Sequence, residues 1–138
     1  MGGPIEQPGD RRPKGLADRY IEALNSRNAT RVVALFRNDA TVEDPVGSPI
    51  RRGRAELQAF YDTALSQVLR IEVRIAPRGS SSDACAYAFD VILPNAILGV
   101  IGVLTFDEDG LIRTMCAYHG PSDFIAGPVP APRHQSSP

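Results

Sequence analysis

With 138 residues, 43% of them hydrophobic and 22% charged, the chain is long enough for one domain with a real core. Its formal net charge of −1 argues against a general polyanion binder, so no nucleic-acid partner is expected. No apolar run approaches the ~18 residues of a membrane span, and the start, Met1-Gly2-Gly3-Pro4, has neither an apolar leader nor the Ser or Thr at position 6 of a myristoylation pattern, so a cytoplasmic protein is expected.

Residues 1–13 are rich in Gly, Pro and charge and are expected to form a flexible tail. Leu16, Tyr20 and Leu24 recur every fourth residue, with Ala17 and Ile21 alongside, and predict an amphipathic helix over 14–26. Val32, Leu35 and Phe36 predict a short second helix over 29–37. Residues 40–47 (Ala-Thr-Val-Glu-Asp-Pro-Val-Gly) read as a short strand closed by Pro and Gly. A third helix is expected over 52–67, on the stripe of Leu57, Phe60, Tyr61, Ala64 and Leu65.

The rest is β. Leu69, Ile71, Val73 and Ile75 alternate with Arg70, Glu72 and Arg74, the pattern of a half-buried strand. Residues 84–93 carry Tyr87, Phe89 and Val91 on one face, Pro94-Asn95 marks a turn, and 96–106 form a long apolar strand. Asp107-Glu108-Asp109-Gly110 is a hairpin turn before a last strand over 111–119. Residues 126–138 hold four prolines and are expected to be a disordered Pro-rich tail, leaving one domain over 14–125. Helices followed by consecutive antiparallel strands give an α+β fold, with the helices on one face of the sheet. Cys85 and Cys116 lack metal-ligand spacing and sit in strand-like segments, where free thiols are expected.

One residue in this pattern stands out. Strand side chains alternate faces, so Asp44 shares the apolar side of Ala40 and Val42. A carboxylate there is costly unless it is paired or hydrogen-bonded, and has either a structural partner or a chemical task.

The stretches Ala17-Asp18-Arg19-Tyr20-Ile21-Glu22, residues 38–47, Ala59-Phe60-Tyr61 and residues 105–112 resemble Δ5-3-ketosteroid isomerases over roughly residues 14–122. The resemblance implies the cone-shaped fold shared with nuclear transport factor 2 and SnoaL-like cyclases: three N-terminal helices on a curved, mostly antiparallel sheet. It implies Asp44 as the base that moves a proton between carbons and Tyr20 as a hydrogen-bond donor to the enolate oxygen, with Tyr61 in support. It also implies a homodimer. The sequence itself shows no metal cluster, phosphate loop or nucleotide fingerprint, so no metal and no cofactor are expected. The expected ligand is a small, flat, apolar molecule, steroid- or polyketide-like, in a pocket lined by Phe89, Val91, Leu98, Val100, Leu104 and Met115.

Three positions depart from the family pattern. Gly102 stands where a second acid is expected in the oxyanion hole, leaving either room for water or an enlarged cavity. Phe36 stands where a tyrosine often backs Tyr20, which should shorten the hydrogen-bond network. His119 replaces a pocket aromatic; it shares a face with Met115 and Ala117, and is either a surface residue or a partner of Asp44 serving as proton donor. The candidate functions are thus a steroid-type isomerase, an epoxide hydrolase or polyketide/polyether cyclase of the same fold, and a non-catalytic module for an apolar ligand.

Overall fold

A computed structural model describes residues 12–80 and 83–126. Both tail segments other than Arg12, Pro13 and Ala126 lie outside the described residues. Helix α1 (Pro13–Ser26) buries Leu16, Ala17, Tyr20, Ile21, Ala23 and Leu24, the stripe expected from the fourfold spacing. It begins at a proline, whose missing N–H costs nothing at a helix start. It ends at Arg27 in the left-handed conformation (φ 56°). Asn25 fastens the end of α1 to the sheet: its amide donates to the Ile71 carbonyl at 3.1 Å and accepts from the Ile71 N–H at 2.7 Å.

Helix α2 (Ala29–Val33) is capped by the Asn28 side chain, which accepts from the Arg31 N–H at 3.2 Å. It stops four residues short of the expected end, and Phe36 opens strand β1 (Phe36–Glu43). The reason is tertiary. The Leu35 carbonyl accepts from the Ile112 N–H at 2.8 Å. The Arg54 guanidinium takes the Val33 and Phe36 carbonyls at 3.3 and 2.6 Å. Backbone groups that a longer helix would use are committed elsewhere.

A two-residue strand β2 (Arg51–Arg52), unsignalled in the sequence, pairs with β1 before helix α3 (Arg54–Leu65). Strands β3 (Arg70–Gly79), β4 (Ala84–Leu93), β5 (Ala96–Phe106) and β6 (Ile112–Tyr118) follow. After a 3-10 turn, β7 (Phe124–Ala126) returns to pair with β5.

The strand order is β2-β1-β6-β5-β4-β3, antiparallel except for the parallel pair β1–β6. The curved, unclosed sheet and three helices make an α+β fold, and the core fills the space between the two layers.

One expected burial pattern fails. Of the apolar row on β3 only Ile71 is buried; Leu69, Val73 and Ile75 are exposed. β3 is an edge strand, with a neighbour on one side only, and its register with β4 shifts between Val73 and Ile75, which sets Ile75 opposite Ala88. Cys85 and Cys116 are free thiols, the first buried and the second partly so.

Candidate active site

Alternation along β1 places Ala40 and Val42 fully in the core. Asp44, the first residue beyond the strand, continues on that side and borders a cavity of about 240 Å³ between helices and sheet. The following turn is fastened by four hydrogen bonds. The Val46 N–H donates to the Ala117 carbonyl at 2.8 Å, the Gly47 N–H to the Glu43 carboxylate at 2.9 Å, and the Ser48 N–H and hydroxyl both to the Pro45 carbonyl, at 2.9 and 2.6 Å. Gly47 takes φ 103°, a conformation that glycine adopts without cost.

His119 comes from the far end of β6, beside β1. Its Nε2 lies 2.7 Å from Asp44 Oδ1, and the two side chains are only 16% and 24% exposed. His119 is therefore not a bland surface residue: the structure brings it onto the acid.

Two phenols face the same cavity from the helical layer. Tyr20 on α1 and Tyr61 on α3 share a hydrogen bond of 2.6 Å. Phe36 packs edge-on against Tyr20 (ring centroids 5.9 Å apart) and tilted on Tyr61 (5.8 Å), adding shape but no donor, so the hydrogen-bonded chain runs from Tyr20 to Tyr61 without it. Burial, first of all, holds both phenols well above the usual tyrosine range, and the neighbouring Asp44 charge adds to this.

Tyr87 is raised in the same way. Protons retained in the folded state and lost from the unfolded chain make stability fall as pH rises through the unfolded value of about 10. Tyr20, Tyr61 and Tyr87 should thus ionise only together with alkaline unfolding. Absorbance near 295 nm and circular dichroism, recorded in one titration of the Tyr118→Phe variant, which lacks the half-exposed fourth tyrosine, check this; phenolate appearing while the fold is intact would contradict it.

The remaining walls are apolar, as expected: Phe89 and Val91 from β4, Leu98 and Val100 from β5, and Met115 from β6. Phe60, Leu93 and Phe124 also border the cavity, Phe124 from the strand the sequence did not signal. Two expected lining residues do not border it. Leu104 shares the face of Leu98 and Val100 but is fully buried deeper in the core.

Gly102 is covered. A Cβ built there would stand 3.2 Å from both Phe89 Cε1 and Tyr87 Cε1. Tyr87 pairs with Gly102 across the strands, and its ring stacks on Phe89 with centroids 4.9 Å apart. The glycine therefore leaves neither a water pocket nor an enlarged cavity; its place is taken by two rings from the neighbouring strand. Sequence reasoning set Tyr87 on the cavity face by alternation but gave its hydroxyl no part.

The described residues contain no cluster of His, Cys, Asp and Glu able to hold a metal. Nor do they include a helix long and apolar enough to cross a membrane. What the site offers is a carboxylate in contact with an imidazole, facing hydrogen-bonded phenols across an apolar slot.

The chain is similar to known proteins over most of its length. Residues 17–115 match the SnoaL-like domain family. A protein named steroid Delta-isomerase, from Nocardioides simplex, is 34% identical over 120 residues, covering 84% of this chain and 96% of the relative. Among solved structures, the epoxide hydrolase/cyclase-like enzyme SalBIII, described in pyran ring formation in the polyether salinomycin, superposes with a TM-score of 0.77 at 22% identity, over 83% of this chain and 95% of that one.

Proposed function

The chain belongs to the SnoaL-like domain family, and from that premise we propose that it is an isomerase acting on a flat ketone of steroid type, with Asp44 as the base and Tyr20 as donor to the enolate oxygen. The observation that carries this reading is the placing of Asp44 and the Tyr20–Tyr61 pair on one apolar cavity. The relative's name, steroid Delta-isomerase, supports the substrate class.

Asp44 takes a proton from the carbon between the ketone and an isolated C=C bond. The electron pair of that C–H bond moves toward the carbonyl, whose oxygen becomes the dienolate oxygen and accepts a hydrogen bond from Tyr20. Tyr61 donates to Tyr20 in turn, which polarises the Tyr20 O–H. The same proton then returns from Asp44 to the far carbon of the former double bond, and the conjugated enone leaves. Nothing is consumed, so no cofactor is required. His119 holds the Asp44 carboxylate in place through its hydrogen bond.

The test is a spectrophotometric assay with a Δ5-3-ketosteroid, following the conjugated product in wild type and Asp44→Asn. No turnover by the wild type would end the isomerase reading. A second reading has its own support in the Asp44–His119 contact, which sets a base beside a proton donor as epoxide opening requires. Turnover of an epoxide, and not of the steroid, would favour it.

We also propose a homodimer formed by the outer face of the sheet. Ile75, Ala88, Ile101 and Tyr118 pair in register across four strands and so share one face. Ile75, Ile101 and Tyr118 are 53%, 52% and 51% exposed, an apolar row suited to its own copy. Ile101→Glu should convert the protein to monomers in light scattering; a wild type that is already monomeric would refute the dimer.

A further inference from the structure

Tyr87 is only 3% exposed, yet its hydroxyl makes no hydrogen bond to any described residue. Buried phenols nearly always find a partner, because an unpaired hydroxyl in an apolar setting is costly. Its two buried counterparts do so: Tyr20 and Tyr61 satisfy one another. Tyr87 instead borders the same cavity as Tyr20, Tyr61 and Asp44. Its ring is fixed from behind. It stacks on Phe89 and lies against the bare backbone of Gly102, an approach that any Cβ at 102 would crowd. A donor held at the wall of a slot, without a partner among the described residues, is a donor kept for a ligand.

We propose that the Tyr87 hydroxyl is a second hydrogen-bond donor to the ligand oxygen held by Tyr20, reaching it from β4. The ligand class is a flat apolar molecule with one oxygen that gains negative charge, such as an enolate or a phenolate. The glycine at 102 has a positive purpose in this arrangement: it lets the Tyr87 ring lie flat against β5. The inference rests on the reading of the cavity as an oxyanion site, and its test is built to fail separately from the isomerase assay.

The test compares wild type with Tyr87→Phe, which keeps the ring and removes only the hydroxyl. Binding of 2-naphthol and of naphthalene is measured by fluorescence titration. The variant should bind 2-naphthol about 10- to 100-fold more weakly, the usual loss for a donor to a charged or charge-gaining oxygen. Naphthalene, which has no oxygen, should bind equally well to both.

Without ligand, the variant should melt at or above the wild-type temperature, since an unpaired buried hydroxyl has been removed. Equal naphthol binding, equal losses for both ligands, or a clear fall in melting temperature would each overturn the proposal. The last two would mean that the hydroxyl is structural. In the steroid assay the variant should lose kcat with little change in KM. If the wild type does not turn over the steroid while naphthol binding still depends on Tyr87, the isomerase reading falls and the donor stands. If steroid turnover and naphthol binding both survive the substitution unchanged, the reverse holds.

Discussion

Asp44→Asn should lower kcat on a Δ5-3-ketosteroid by about 10²–10⁴-fold, the range that a positioned proton-transfer group contributes. The substitution is nearly isosteric, and the amide can still hydrogen-bond His119, which lies 2.7 Å from Oδ1 in the wild type. Packing and the turn at Pro45 are unchanged, because the bonds that hold it run through Val46, Gly47 and Ser48. The experiment therefore isolates basicity. Steady-state kinetics with the folded state verified by circular dichroism would measure it; a variant with wild-type kcat would remove Asp44 from the reaction.

Tyr20→Phe should have the next largest effect, for a different reason. In the proposed reaction it removes the donor to the enolate oxygen, a loss that typically costs ~10²–10³ in kcat, and KM should move far less. It also leaves the Tyr61 hydroxyl buried without the 2.6 Å partner it has in the wild type, at a stability cost of about 1–3 kcal/mol. Tyr61→Phe should lose less activity, since it reaches the oxygen only through Tyr20. The double variant should be far from additive, because the two hydroxyls act as one unit. Urea unfolding alongside kinetics separates the two effects. A Tyr20→Phe variant with lost stability and intact kcat would make the pair a core device and nothing more.

Local patterns made part of this legible. Fourfold spacing put Tyr20 on the buried face of α1, and twofold alternation set Asp44 on the side of Val42. Parity along β6 aligned His119 with Met115, and all of these border one cavity. Each inference needed only its own element. The misreadings needed a neighbour.

Helix α2 ends early because Arg54 and Ile112, distant in sequence, claim the carbonyls that its pattern would have used. The row on β3 is exposed on an edge strand whose register shifts against β4. Gly102 looked like a missing side chain because its value depends on the Tyr87 and Phe89 rings across the ladder. Leu104 had the right parity but the wrong depth, and depth is not encoded in alternation.

The parallel pairing of β1 with β6 has one more effect. Val42 faces Met115 and Glu43 faces Cys116 in that ladder, so Asp44 and His119 leave the sheet from adjacent strand ends. Their spacing is a lattice constant of the sheet, about 4.8 Å between neighbouring strands. Tyr20 and Tyr61 ride instead on α1 and α3. The slot therefore has one wall of paired strands and one of helices. Strand pairing thus sets the separation of the carboxylate and the imidazole, and helix placement sets that of the two phenols.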